Sequence, residues 1–188
     1  MKTPNADDPP LEALLTAARF AAEKHSKQRR KNSEASPYIN HPITVAEVLA
    51  RIGRIDDLAM LQAALLHDTL EDTETTAEEL KARFGEEVLE FVKELTDDKS
   101  LPKQDRKRLQ IEHAPQLSLR ARQIKLADKI CNVADINATQ PMNWPLERKR
   151  EYFDWAEKVV AGCRGSNWQL EEHFDAVLKA QREAIEKG

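Results

Sequence analysis

Two pairs of ionisable residues stand at the end of the most apolar stretch of the chain. His67 and Asp68 follow the run ALL, and Glu71 and Asp72 come four residues later. At helical spacing, His67 lies below Glu71 and Asp68 lies below Asp72 on one face of a helix. Acidic groups at a helix C-terminus oppose the helix dipole, so a bound cation would relieve that conflict. An acidic cap on a solvated helix end is the alternative interpretation.

His41 and Asp128 are two further candidate metal ligands. His41 precedes Pro42 at the start of a predicted helix, and Asp128 lies in an apolar helical segment where a buried carboxylate needs a partner. With His67 and Asp68 they form a mixed set of imidazoles and carboxylates. Such a set suits Mn²⁺, Fe²⁺ or Zn²⁺, and ligand type alone does not decide among these ions. For any one histidine, a hydrogen-bonded core residue is the alternative interpretation.

The order of these motifs resembles the HD-domain superfamily of metal-dependent phosphohydrolases. Longer strings resemble the hydrolase domain of RelA/SpoT enzymes, and most of all the stand-alone small alarmone hydrolases typified by the metazoan SpoT homologue. The strings are RRK at 29–31, YINHP at 38–42, LLHDTLEDT at 65–73, TDDKSLPK at 96–103 and KLADKICN at 125–132. The resemblance runs over nearly the whole chain, from roughly residue 10 to residue 180.

The resemblance implies an activity and a role for each matching residue. It implies removal of pyrophosphate from the 3′ position of (p)ppGpp, with Mn²⁺ bound by His41, His67, Asp68 and Asp128. It implies that Glu71 and Asp72 handle the attacking water, as a general base or acid whose two roles could be exchanged. It further implies contacts to the substrate from Arg30, Lys31, Tyr38, Lys103, Asn132, Arg148 and Tyr152. Cys131 departs from the pattern, because relatives often carry histidine or tyrosine there.

The composition limits the classes of partner. The 188 residues carry a formal net charge of −4, so no global positive field favours nucleic acid or a membrane surface. A small anionic nucleotide must therefore meet local cations, which cluster near 29–31, 99–108 and 148–150. For a single lysine, a solvated basic face is the alternative interpretation. Cys131 and Cys163 lack CxxC spacing, so neither a thiolate metal site nor a disulfide is indicated.

The N-terminal sequence and the hydropathy pattern indicate where in the cell we expect the chain. The N-terminal sequence MKTPNADDPP is polar and acidic, which argues against a secretion signal. No apolar run approaches the roughly 18 residues of a transmembrane helix. Because the cysteine usage favours reducing conditions, we expect the chain in the cytoplasm. The oligomeric state is not predicted.

Helical periodicity recurs along the whole chain and predicts an all-α fold. We expect a single HD-type domain over residues 1–188, with about eight to ten helices. The segment 56–72 predicts one central buried helix, and 118–137 predicts a long helix that carries Asp128. Pro42 is expected near the first position of a helix. The aromatic residues expected in the core of the last two helices are Phe153, Trp155, Trp168 and Phe174.

Two other functions remain open on the sequence alone. The first is a phosphatase that acts on another nucleotide, such as NADPH. The second is a non-catalytic HD module that binds a nucleotide or a partner. The intact pair of Glu71 and Asp72 argues against such a module, because binding alone does not require a water-activating pair.

Overall fold

The computed structural model describes residues 9–30, 34–138 and 144–187. Within these ranges the chain forms ten α-helices and one short 3-10 helix and no β-strand, so the all-α prediction is confirmed. None of the described helices combines the length and the apolar composition needed to cross a bilayer. The α-helices are α1 Pro10–Lys24, α2 Asn40–Arg51, α3 Leu58–Leu66, α4 Thr69–Asp72, α5 Ala77–Phe84, α6 Glu86–Leu95, α7 Lys103–His113, α8 Leu119–Ala138, α9 Leu146–Cys163 and α10 Trp168–Lys187, and the 3-10 helix is Ala114–Gln116.

Helix α8 lies at the centre of the fold. It packs against α2, α3, α6, α9 and α10. Its side chains Ile124, Leu126 and Ala127 are fully buried, as are Phe153 of α9 and Phe174 of α10. Burial of each large side chain stabilises the fold by about 1.5–3 kcal/mol relative to exposure. This packing fixes the position and rotation of α8, and therefore of the polar residues that stand between its buried ones.

The prediction of one continuous helix over 56–72 is wrong. Helix α3 ends at Leu66, and the short helix α4 begins at Thr69. Asp68 has a ψ angle of −1°, which opens the helical hydrogen-bond ladder, and the Thr69 hydroxyl donates to the Leu66 carbonyl at 2.6 Å. The hydrophobic pattern does not report such a side-chain bond. His67 and Asp68 therefore stand at a joint between two helices rather than within one.

Two smaller expectations also need correction. Helix α2 begins at Asn40 and places Pro42 at its third position rather than its first. Trp168 is 69% exposed at the start of α10, so its predicted place in the core is wrong, while Phe153 and Phe174 are buried as expected. Trp168 lies two residues before Leu170, the first buried residue of α10, and it is therefore about 200° around the helix from it and points to solvent.

Candidate active site

Three of the four predicted metal ligands meet in the interior. His41 comes from α2, His67 directly follows the last residue of α3, and Asp128 lies in the middle of α8. One ligand atom from each lies within 4.8 Å of the other two, and all three residues are buried. The atoms are close enough for a single small ion to contact all three. The packing of α2 and α3 against α8 produces this convergence.

Asp128 is the centre of this cluster. Its Oδ1 lies 3.1 Å from His41 Nε2 and 3.9 Å from His67 Nε2, and it also accepts a bond of 2.5 Å from Asn132 Nδ2. Its Oδ2 accepts a bond of 2.9 Å from Lys129 Nζ. Burial alone would raise the pKa of Asp128, but Lys129 and the two imidazoles outweigh it and hold the pKa well below its usual range. Asp128 is therefore an anion at neutral pH.

His67 presents its ring in the way a metal ligand requires. His67 Nδ1 is bonded to the Ala64 carbonyl at 2.7 Å, which orients the ring and directs Nε2 into the cluster. His67 Nε2 is buried and makes no hydrogen bond among the described residues. An unsatisfied buried nitrogen beside an ionised carboxylate is a position that a cation would fill. The residues present therefore fit a divalent ion.

Asp68 stands beside this cluster rather than in it. Its Oδ2 lies 3.1 Å from His67 Nε2 in a geometry that does not form a hydrogen bond, and it accepts a short bond of 2.5 Å from the Tyr38 hydroxyl. Burial would lower the pKa of His67, but Asp68 and Asp128 outweigh it and raise that pKa to about 9. The same charge interaction lowers the pKa of Asp68 despite its burial. The role of Asp68 as a metal ligand therefore stays a prediction.

The connection between α6 and α7 holds the second acidic pair in place. Glu71 Oε2 accepts a bond of 3.2 Å from the Asp97 N–H, and Glu71 Oε1 lies 3.5 Å from Arg106. Asp72 forms an ion pair with Lys99. Burial raises the pKa of the Glu71 carboxyl above its usual range. Glu71 is thus a partly buried carboxylate close to the candidate metal ligands but separate from them.

A cleft of about 690 Å³ opens over these groups. This volume is in the range of pockets that bind nucleotide-sized ligands. One wall is aromatic: the rings of Trp144 and Tyr152 lie 5.7 Å apart, and those of Tyr152 and Trp155 lie 5.2 Å apart. The cations that line the cleft are Lys103, Arg106, Lys107, Lys125, Lys129 and Arg148. The cleft therefore joins a candidate metal centre to a wall suited to an aromatic and anionic ligand.

Five of the seven residues predicted to contact the substrate line this cleft. They are Tyr38, Lys103, Asn132, Arg148 and Tyr152. Burial raises the pKa of Tyr152 to about 12, so its hydroxyl stays protonated and can donate a hydrogen bond. The Arg148 guanidinium lies 4.0 Å from the centre of the Trp144 ring.

Arg30, the sixth predicted contact, lines a neighbouring hollow and forms an ion pair of 2.6 Å with Asp135. Its guanidinium also lies 3.5 Å from the amide oxygen of Asn132, which lines the cleft. The substrate contact of Arg30 stays a prediction. Lys31 lies outside the described residues.

Sequence reasoning missed two of the three residues of the aromatic wall. Trp155 was assigned to the core, but it lines the cleft, where the Nζ atoms of Lys107 and Lys129 lie 4.7 and 4.8 Å from the centre of its ring. Trp144 was not singled out at all. The available signal is the recurrence of aromatic and basic residues through 144–155, of which the sequence analysis assigns only Arg148 and Tyr152 to the substrate.

Comparison with known protein families decides the class. The HD-domain family matches residues 17–154, which is most of the chain. This chain belongs to the HD-domain family. The matched range includes His41, His67, Asp68 and Asp128.

Curated relatives place this HD-domain chain among named hydrolases. It is 54% identical over 172 residues to a Xenopus tropicalis protein named guanosine-3′,5′-bis(diphosphate) 3′-pyrophosphohydrolase MESH1, covering 92% of this chain and 96% of that protein. The human MESH1 protein is 54% identical over 166 residues, covering 88% and 93%. A longer Aquifex aeolicus pyrophosphohydrolase is 36% identical over 211 residues, covering 94% of this chain and 29% of that protein. The predicted membership of the small alarmone hydrolase group is confirmed.

A solved structure agrees with the sequence relatives. It belongs to a metazoan ortholog of SpoT that is described as hydrolysing ppGpp and playing a role in starvation responses. The two chains superpose with a TM-score of 0.87 at 44% identity, over 96% of this chain and 98% of the other. The HD-domain fold is therefore shared over nearly the full length, and the chain is an HD-domain hydrolase by homology.

Proposed function

We propose that this protein hydrolyses the 3′-pyrophosphate of (p)ppGpp to give GDP or GTP and pyrophosphate. The observation that carries the proposal is the position of Glu71 in the same cleft as the His41, His67 and Asp128 cluster. A cation site alone would support binding, whereas a partly buried carboxylate beside it supports activation of water. The relatives named for this reaction supply the choice of substrate.

The proposed cofactor is one divalent ion, with Mn²⁺ as the first choice. His41, His67 and Asp128 would hold it, and Asp68 would complete the set. The ligands are borderline nitrogen and hard oxygen donors, which suit Mn²⁺, and the family resemblance favours that ion over Fe²⁺ and Zn²⁺. Such an ion supplies Lewis acidity at a phosphoryl oxygen and makes nearby water more acidic.

The acidic pair on α4 provides the protein's own proton-transfer groups. Glu71 would accept a proton from the attacking water, because its raised pKa makes it a better base than an exposed glutamate. The Asp97 N–H and Arg106 hold its carboxylate in place. Asp72, which pairs with Lys99, would orient the water or Glu71.

The opposite part of the cleft would bind the nucleotide. Tyr152 and Trp144 offer ring faces to a guanine base, and the Tyr38 hydroxyl and the Asn132 amide offer hydrogen bonds to polar groups of the nucleoside. Asn132 already donates to Asp128, so it connects the nucleoside to the metal centre. Lys103 and Arg148 would neutralise phosphate charge.

Product analysis tests this proposal. The Mn²⁺-loaded protein would be incubated separately with ppGpp and with NADPH, and the phosphorus products followed by NMR. Release of pyrophosphate from ppGpp is the expected result. Orthophosphate released from NADPH, with no turnover of ppGpp, would instead support a phosphatase that acts on NADPH.

Metal analysis separates an enzyme from a binding module. A catalytic protein is expected to retain a divalent ion in a ratio of about one per chain after purification with the metal, because three buried ligands converge. A module that only binds nucleotide would bind ppGpp but release no product, with or without added metal.

A further inference from the structure

Among the described residues, four of the six cations that line the cleft make no ion pair within 4.0 Å with a carboxylate, and Lys107 is one of them. Lys129 pairs with Asp128 at 2.9 Å, and Arg106 lies 3.5 Å from Glu71. Lys107 also lines the cleft, from α7. Among the residues that the structure describes, no ion pair within 4.0 Å connects Lys107 to a carboxylate, although ion pairs at that distance hold both of these neighbours.

Two aromatic rings hold the Lys107 side chain in the cleft. Its Nζ lies 5.5 Å from the centre of the Tyr152 ring and 4.7 Å from that of Trp155. The Trp155 indole N–H donates to the Lys107 carbonyl at 2.9 Å, which fastens the backbone of α7 to α9 at this point. Ring faces attract an ammonium group but do not satisfy its three N–H donors. The donors of Lys107 therefore remain available to a ligand.

The charges around Lys107 favour an anion. Burial lowers the pKa of the Lys107 ammonium, and the nearby charges of Lys103, Arg148 and Lys129 lower it further, while Glu151 opposes them. The site thus concentrates like charges that repel one another when the cleft holds no anion. A ligand with several negative charges would relieve this repulsion and would be bound more tightly for that reason.

The position of Lys107 indicates which phosphates it meets. Lys107 and Lys129 lie against the same ring of Trp155, but only Lys129 contacts Asp128 and so borders the candidate metal centre. The phosphates that are cleaved must reach that centre. We propose that Lys107 is a further substrate-binding residue, which binds the uncleaved 5′-diphosphate of the nucleotide. This inference rests on the proposed function.

A binding measurement tests the role without requiring turnover. GDP and guanosine, which differ in the 5′-diphosphate, would be titrated into the wild-type protein and the Lys107→Met variant by isothermal titration calorimetry. Methionine keeps most of the side-chain length against the two rings but removes the charge. We expect GDP to bind about 10–100-fold more weakly to the variant, as for loss of one charge-assisted hydrogen bond, and guanosine to bind equally to both.

Lys24 provides a matched control. It is also half-buried, and its Nζ lies 5.1 Å from the centre of the Phe20 ring, but it pairs with Glu79 away from the cleft. Lys24→Met should therefore leave the affinity for GDP unchanged. The melting temperature of Lys107→Met should equal or exceed that of the wild type, because the substitution removes a repelled cation.

The opposite results would overturn the role of Lys107. A purely structural lysine would give a lower melting temperature in Lys107→Met and an unchanged affinity for GDP. A wild-type protein that does not distinguish GDP from guanosine would also contradict it. Failure of the proposed function would give a different result. The protein would then bind GDP through Lys107 but release no pyrophosphate from ppGpp, so the binding site would stand and the reaction would not.

Discussion

His41 Nε2 lies 3.1 Å from Asp128 Oδ1, although the two residues stand 87 positions apart in the chain. Helices α2 and α8 bring them together, and the end of α3 adds His67 at 3.9 Å from the same oxygen. Two imidazoles on one buried carboxylate oxygen form an arrangement that a divalent cation would stabilise more than protons do.

Replacement of a central ligand should remove the metal. Loss of a residue that only hydrogen-bonds a metal ligand usually weakens metal binding by roughly 10–100-fold. His67→Ala deletes a ligand itself, so we expect a larger loss of metal affinity. Activity should disappear with the metal. Metal content after dialysis, measured by atomic emission, checks this. His113→Ala, at an exposed position near the end of α7, is the control. A His67→Ala protein with full metal content would show that the ion binds elsewhere.

Replacement of Glu71 should separate catalysis from metal binding. Glu71→Gln is expected to keep the ion and to lower kcat by about 10²–10⁴-fold, the usual contribution of a general base. Because burial raises the pKa of Glu71, wild-type kcat should fall as the pH drops through that raised value, where the base becomes protonated. The pH profile of kcat at saturating substrate measures this.

A parallel substitution, Asp72→Asn, assigns the two acidic roles. A smaller loss of kcat than in Glu71→Gln, with the acidic limb of the profile retained, is expected if Asp72 only orients the water. If Asp72→Asn instead loses more kcat than Glu71→Gln, Asp72 is the general base and Glu71 orients the water.

Gly162 should tolerate no side chain. An alanine Cβ there would lie 2.7 Å from Ala114 Cβ and 2.8 Å from Pro115 Cδ, where α9 crosses the 3-10 helix. Glycine to alanine in an exposed helix interior usually stabilises by about 1 kcal/mol, but this overlap should lower the free energy of unfolding by about 1–3 kcal/mol. Urea denaturation measures the difference. Ala161→Ser, at the exposed neighbouring position, should change it by less than about 0.5 kcal/mol.

Neither cysteine should react in the folded protein. Both are free and buried, and burial raises the pKa of the Cys163 thiol to about 11 and also raises that of Cys131. At pH 8 roughly one Cys163 in a thousand would be a thiolate, which is the reactive form. Labelling with a thiol reagent should therefore follow the unfolding rate. Complete labelling of the native protein within seconds would mean that one thiol is exposed.

The helices and their apolar faces were predictable from the sequence, but one boundary at the site was not. Periodicity located the central helix α8 and the apolar run that becomes α3. It did not locate the break at His67, which depends on the Thr69 hydroxyl and the backbone of Asp68. Hydrophobic patterns report burial of side chains, and they carry no information on a local hydrogen bond of this kind.

The candidate site was predictable as a set of residues but not as a geometry. Motif order nominated His41 and Asp128, whereas the contact between them depends on the packing of α2 on α8. The ion pair of Arg30 with Asp135, which stands 105 positions away, was likewise not predictable from the motif around Arg30. The unpaired state of Lys107 likewise depends on what α9 brings near it. The geometry of these residues depends on contacts between segments that are distant in sequence, and such contacts cannot be predicted from the spacing of residues along the chain.

The most direct test is phosphorus NMR of ppGpp with metal-stripped protein, followed by addition of Mn²⁺ to the same sample. We predict that the stripped protein leaves ppGpp intact, and that Mn²⁺ restores release of one pyrophosphate and one GDP per substrate, because His41, His67 and Asp128 would hold the ion in the cleft that Glu71 lines. Release of orthophosphate instead, or equal turnover before and after Mn²⁺ is added, would contradict the account.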